Sequence, residues 1–248
     1  MVKQQKKQTS DEIFSEPKED NFSLLMELIW KQREGVFVQY LLNLLGHGKF
    51  IASTEMSMSP ATIYHILNEI IINQRSSIIE FGSGNSTIYI AALLCKFNLK
   101  AKLYSVDDDN DWIENIKQSF VLYEINGSNV EFIHAPIKKT TQFVSNLSTF
   151  FKWYDPTVLQ KKIRNKKFDM VIVDGPKGSL CPFSRFPAVP FLLDHLADSY
   201  SLFLDDTHRI EENAILNEWA NLLNENVSFV KQKYGSISKN TKYYSYPK

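Results

Sequence analysis

The spacing of apolar positions sets the first divisions of the chain. From Phe22 to Leu45, "FSLLMELIWKQREGVFVQYLLNLL" carries apolar residues three and four apart, which predicts one or two amphipathic helices. Gly46 and Gly48 in "GHGKF" end that block. "MSPATIYHILNEIIINQ" then opens a further helix, with Ser59 as N-cap and Pro60 at the first helical position, where its missing N–H costs nothing. Beyond it, short β-branched runs alternate with helical spacing, the pattern of a parallel sheet flanked by helices. Strands are predicted at Ile78–Phe81, Leu103–Val106, Val130–His134, Met170–Val173 and Leu202–Leu204. Helices are predicted at Ser86–Phe97, Trp112–Tyr123, Phe186–Ala197 and Ile210–Asn224. "VSFVKQKYGSISKNTKYYSYP" reads as a closing two-stranded ribbon, with Gly235 near its turn.

Two stretches leave the pattern open. The apolar stripe of residues 22–45 packs on its own domain in the favoured reading; the alternatives are a homodimer surface or an active-site cover. The insert Thr140–Lys167 is longer than a plain crossover needs. Its aromatic "FFKWYDP", beside clustered lysines, serves either as a substrate wall or lid, or as a crossover helix with a solvated basic face. Residues 1–20 are charged and poor in apolar groups, which predicts a disordered tail.

Composition removes several functional classes. The 28 basic residues equal the 28 acidic ones, so a nucleic-acid partner, which phosphate binding would signal by an excess of Lys and Arg, is not expected. Two cysteines cannot build a disulfide framework or a cysteine-rich zinc site; Cys95 reads as a helix core residue and Cys181 as a loop thiol. No membrane span is expected, because no segment approaches the roughly 18 unbroken apolar residues needed. With no signal-peptide pattern at the N-terminus, the expected location is cytoplasmic.

"SSIIEFGSGNSTIYIA" is the first stretch with chemistry in it. Glycines between a strand and a helix let backbone amides approach a ligand, and the helix N-terminus adds positive potential. A dinucleotide fingerprint wants G-x-G-x-x-G, and Gly82 and Gly84 supply two of the three; Thr87 occupies the third position. Glu80 would repel a pyrophosphate but suits an ammonium or sulfonium. Asp107, closing the next strand, suits both hydroxyls of a ribose. One cationic group, one ribose and no phosphate describe S-adenosylmethionine.

"IIEFGSGNST" and "YSVDDDNDWIENI" resemble the first two motifs of class I S-adenosylmethionine-dependent methyltransferases. "FDMVIVDGPKG" and "SLFLDDTHR" resemble that superfamily's fourth and fifth strands, and the closing ribbon its last two. The resemblance runs from about Ile70 to the C-terminus. It implies a doubly wound, mostly parallel Rossmann-like α/β sheet with a C-terminal antiparallel ribbon and an N-terminal helical extension. The tail would cover 1–20, the extension 21–75 and the cofactor-binding domain 76–248. It further implies that Glu80, Gly82, Ser83 and Gly84 line the methionine end of the cofactor, with Asp107 on its ribose. Of the acids after Asp107, the pair Asp108 and Asp109 reads as a helix N-terminal cap.

Strand-end polar residues are the candidates for chemistry: Asp174, Lys177, Asp205, Asp206 and His208. Three converging carboxylates are unfavourable without a cation, and oxygen ligands suit Mg²⁺ or Ca²⁺. The spacing resembles the metal-dependent catechol-type O-methyltransferases. By that resemblance Asp174 and Asp205 are acidic ligands of Mg²⁺, Lys177 is the general base, and Asp206 stands where the group has asparagine. Asp174, Asp205 and Asp206 thus form the candidate metal set, and Lys177, His208 and Asp174 the catalytic one. Without a metal, His208 becomes the base. Arg185 either holds an anionic substrate group or belongs to an ordinary connection. The expected activity is methylation of a small-molecule or glycan hydroxyl. Two alternatives stand beside it: a catalytically silent, methyltransferase-like binding protein and a nicotinamide-dependent oxidoreductase.

Overall fold

A computed structural model describes residues 19–46, 48–230 and 233–247; the predicted tail at 1–20 falls almost wholly outside them. The chain runs α1 (Glu19–Leu45), α2 (Pro60–Ile72), β1 (Ser77–Phe81), α3 (Asn85–Lys96), β2 (Lys102–Asp107), α4 (Asn110–Leu122) and β3 (Val130–His134). There follow β4 (Ile137–Thr140), β5 (Phe151–Tyr154), α5 (Pro156–Ile163), β6 (Phe168–Val173), α6 (Ala188–Leu192), β7 (Leu196–Asp205), α7 (Ile210–Leu223), β8 (Val227–Val230) and β9 (Tyr234–Lys239). Seven strands form one sheet in the order β3-β2-β1-β6-β7-β9-β8. The first five are parallel, and β9 pairs antiparallel with both β7 and β8. Because β1 has β2 on one side and β6 on the other, the chain reverses its direction of travel across the sheet there, which opens a crevice at the carboxyl ends of the strands.

Alternation along β1 divides the core. Ile78 packs with α1, α2 and α3 on one face, and Ile79 and Phe81 pack with α5, α6 and α7 on the other. Both faces are covered, which is why the central strands are near-continuous apolar runs. The first block is a single helix, since Gly35 sits in α1 without breaking it. Trp30, Phe37, Leu41 and Leu45 of α1 are buried, with Phe37 stacked on Tyr64 of α2 at 5.0 Å between ring centroids. Phe22, Leu24, Leu25 and Leu28 are exposed. Ser59 accepts from the Thr62 N–H at 3.2 Å, as its capping role requires. No helix among the described residues is long and apolar enough to cross a membrane.

Three expectations need correction. The "FFKWYDP" run is not a lid: residues 151–154 form β5, paired antiparallel with β4, and the helix with exposed lysines is α5, which follows it. The alternation turns Lys152 outward and Trp153 inward, and Phe151, Trp153 and Tyr154 are fully buried against Phe81 and Phe186. The helix expected over 186–197 is the short α6 continued by a 3-10 turn over Leu193–His195, and β7 begins at Leu196. Tyr200 and Ser201 are held as strand by pairing with Lys239 and Ser238 of β9, a partner distant in sequence. Gly235 lies near the ribbon's turn as expected, at the second position of β9, where a Cβ would meet Leu216 of α7 at 2.1 Å. Cys95 is exposed on α3, whereas Cys181 is buried, its Sγ accepting from the Lys152 N–H at 3.1 Å.

Candidate functional site

The turn after β1 is built around two glycines with different duties. Gly82 has φ +95°, and a Cβ there would lie 2.9 Å from the Gly175 nitrogen. Close approach is needed because the Asp174 and Gly175 N–H groups both donate to the Phe81 carbonyl, at 2.9 and 2.7 Å. The turns after β1 and β6 are thereby sewn together, which brings Asp174 to the glycine turn. Gly84 caps α3, and a Cβ there would meet nothing within 4 Å, so this glycine faces open space at a helix N-terminus. Its N–H donates to Thr87 Oγ1 at 2.8 Å. Thr87, at the place of the third fingerprint glycine, serves as the capping residue.

Glu80 has no surface exposed to solvent. Its carboxyl group accepts from Ser86, from Thr87 Oγ1 at 2.5 Å and from Ser105 Oγ at 2.8 Å. Burial raises its pKa to about 7, with the three hydroxyl donors opposing. Glu80 therefore braces the turn from beneath, and no part of it faces the crevice. Ser105, which sequence reasoning missed, sits directly across from Glu80 in the β1–β2 pairing.

Asp107 ties the two motifs together. One carboxylate oxygen accepts from the Ser83 N–H at 2.8 Å and the other from the Asp109 N–H at 3.0 Å. A carboxylate offers about four lone-pair sites, so roughly two stay available to a ligand. Burial raises its pKa and those two N–H groups oppose the rise. Asp109 caps α4 by accepting from the Trp112 N–H at 3.0 Å, and the Trp112 indole donates to the Ser83 carbonyl at 2.7 Å. Asp108 does not share the capping role; its carbonyl contacts His134 Nε2 at 3.1 Å. Trp112, the second residue missed, is half-exposed beside the turn.

The strand-end acids do converge. Carboxylate oxygens of Asp174, Asp205 and Asp206 lie within 4.8 Å of one another. Between them sits Arg185, 4% exposed. Its Nη2 is 3.2 Å from Asp174 Oδ1, its Nη1 is 3.2 Å from Asp206 Oδ2, and the two carbonyls of Asp205 and Pro176 accept from it at 3.3 and 3.4 Å. Arg209 approaches Asp206 Oδ2 at 2.9 Å. Arg185 is thus engaged inside the protein, which leaves the hold on a substrate anion, one of its two readings, without support. Burial raises the Asp174 pKa to about 6 against the pull of Arg185. Burial and the neighbouring Asp174 and Asp206 push Asp205 well above the usual carboxylate range.

Lys177 and His208 are both exposed, on the loops after β6 and β7. Those loops touch: a Cβ at Gly178 would lie 3.4 Å from Glu212 Oε1 and 3.7 Å from Arg209 Nη1. Neither the Lys177 ammonium nor the His208 ring has a hydrogen bond or ion pair among the described residues.

The sequence matches no protein-family model and no curated protein. Solved structures share the fold. The Podospora anserina methyltransferase PaMTH1, with SAH bound, superposes with a TM-score of 0.56 at 14% identity, covering 89% of this chain and 96% of that one. An O-methyltransferase from Bacillus cereus in complex with SAH gives 0.52 at 13% identity, over 82% and 91%. Precorrin-6y C5,15-methyltransferase from Geobacter metallireducens gives 0.52 at 11% identity, over 77% and 94%. What the likeness shows is a shared fold, a mostly parallel Rossmann-like α/β sheet with helices on both faces.

Proposed function

We propose that the protein is an S-adenosylmethionine-dependent methyltransferase acting on a hydroxyl of a small molecule or glycan. The observation that carries this reading is the open cradle at Gly84. A helix N-terminus, a glycine with free space where a Cβ would be, and a half-satisfied Asp107 sit side by side at the carboxyl edge of the sheet. The cofactor fits these donors: Ser83 and Gly84 would receive its methionine end and Asp107 its ribose. Glu80 supports them from below and makes no contact of its own. When bound, S-adenosylmethionine would supply a sulfonium-bound methyl group, taken up by the acceptor oxygen in line as the C–S bond breaks and the thioether S-adenosylhomocysteine leaves.

The chain's own task is to position the acceptor and remove its proton. Asp174 is spent on Arg185, so it is poorly placed as a base. Lys177 and His208, unpaired on touching loops, are the groups open to that role. The candidate set for Mg²⁺ does not fit an ion as it stands, because Arg185 already bridges two of its three members.

Calorimetric titration with S-adenosylhomocysteine tests the reading. Wild-type protein should bind it at about micromolar Kd, near 8 kcal/mol. Gly84→Ala adds a methyl group to space a ligand needs and nothing else, so it should weaken binding by about tenfold or more with an unchanged melting temperature. Absence of wild-type binding refutes the proposal. Binding without turnover across a broad acceptor panel favours the silent binding protein instead.

A further inference from the structure

We infer that Arg185 is a resident counter-cation, occupying the position among Asp174, Asp205 and Asp206 that a divalent ion would need, so that the site works without a metal. The claim about the site stands on geometry alone; only its consequence for methyl transfer rests on the reading above.

Three carboxylates whose oxygens come within 4.8 Å of one another require a compensating charge. A divalent ion would supply it by drawing those oxygens to within about 2.0–2.6 Å of itself. Here a guanidinium supplies it. The two Nη atoms of Arg185 each stand 3.2 Å from a carboxylate oxygen, one on Asp174 and one on Asp206. Carbonyl oxygens of Pro176 and Asp205 take its Nε and Nη1. Glu212 Oε1 lies 3.9 Å from both Arg185 and Arg209. With Arg209 on Asp206, two arginines face four acids. An ion placed among the same oxygens would sit against a buried cation that two of them already hold. The guanidinium is also planar and carries five donors in a fixed fork, which suits bridging in a way an ammonium would not.

The arrangement has a second effect. Arg185 touches the loop after β6 through Asp174 and Pro176, the end of β7 through Asp205 and Asp206, and α7 through Glu212. It thus holds in register the two loops that present Lys177 and His208. A metal would do this through its coordination shell, whereas here a side chain farther along the β6–α6 loop does it, which makes Arg185 a positioning residue.

Paramagnetic resonance with Mn²⁺ as the probe tests the inference on the full chain. Wild-type protein should retain no Mn²⁺, and its melting temperature should not move with Mg²⁺ or a chelator. Arg185→Met removes the charge while keeping bulk, and should create a Mn²⁺ site that Asp174→Asn in the same background abolishes. Arg185→Lys, which keeps the charge, should stay free of Mn²⁺ and serves if the Met variant does not fold. Wild-type uptake of Mn²⁺ that Asp174→Asn removes would overturn the inference. So would Mn²⁺ uptake by folded Arg185→Lys, or a folded Arg185→Met protein that takes up none. S-adenosylhomocysteine titration of the same samples keeps the two claims apart. Lack of cofactor binding with no Mn²⁺ uptake sinks the methyltransferase reading and leaves the counter-cation standing.

Discussion

Replacing Glu80 by Gln should give a protein whose stability advantage over wild type grows with pH. The carboxyl group is buried beneath the glycine turn, and its pKa is raised from 4.5 to about 7. Between those values the folded protein holds a proton that the unfolded chain has released. Wild-type stability therefore falls as pH rises through this window, by about 1.4 kcal/mol per unit, and the loss is complete above the folded pKa. The total is about 3 kcal/mol, or about 6–12 °C in melting temperature for a chain of this size. Glutamine has no such titration, and the hydroxyls of Ser86, Thr87 and Ser105 can rotate to accept from its amide as readily as they donate to a carboxylate. Melting curves of both proteins from about pH 5 to about pH 8 isolate Glu80, because every other titrating group is common to them. Two effects compete, burial against three hydroxyl donors, and the sign of the difference reports which wins. Parallel curves, or a gap that closes as pH rises, would show that the hydroxyls hold the carboxylate as an anion and would refute the reasoning.

Further expectations concern the cradle. Gly82→Ala should lower stability by about 2–3 kcal/mol, since it combines a left-handed φ with a Cβ 2.9 Å from the Gly175 nitrogen; chemical denaturation of this variant beside Gly84→Ala reads the contrast. Asp107→Ala should raise the Kd for S-adenosylhomocysteine by about tenfold or more, through loss of the free lone pairs and of the bond that fixes Ser83. Wild-type affinity in that variant would remove Asp107 from the site.

What was legible in the sequence was what is encoded locally. The β1 turn could be read because strand, glycines and cap follow one another within ten residues, and Ser59 with Pro60 announces α2 in the same way. Hydroxyls at Ser86 and Thr87 were in view, yet their shared partner was not. That partnership needs Ser105, which meets Glu80 only once β1 and β2 are paired. The three acids were found from their positions at strand ends, but their neutralisation was not, because Arg185 reaches them by the fold-back of a loop whose direction no short pattern sets. Aromatic residues at 150–154 misled for a related reason: composition describes a surface lid and a buried strand equally well, and the partner strand β4 decides between them.

The position of β9 bears on the order in which the site can come into being. Strand β7, which ends in Asp205, has β6 on one side, available early, and β9 on the other. Tyr234 is the residue opposite Asp205, and its hydroxyl also contacts His65 of α2 at 2.8 Å. A ribosome translating this message has released β1, β2 and the glycine turn long before residues 234–239 emerge. Until they do, β7 is an open edge and the acid-lined end of the crevice lacks its neighbour. The glycine turn and the acid-lined strand ends would therefore be completed at different moments of synthesis, the second only once β9 has paired with β7.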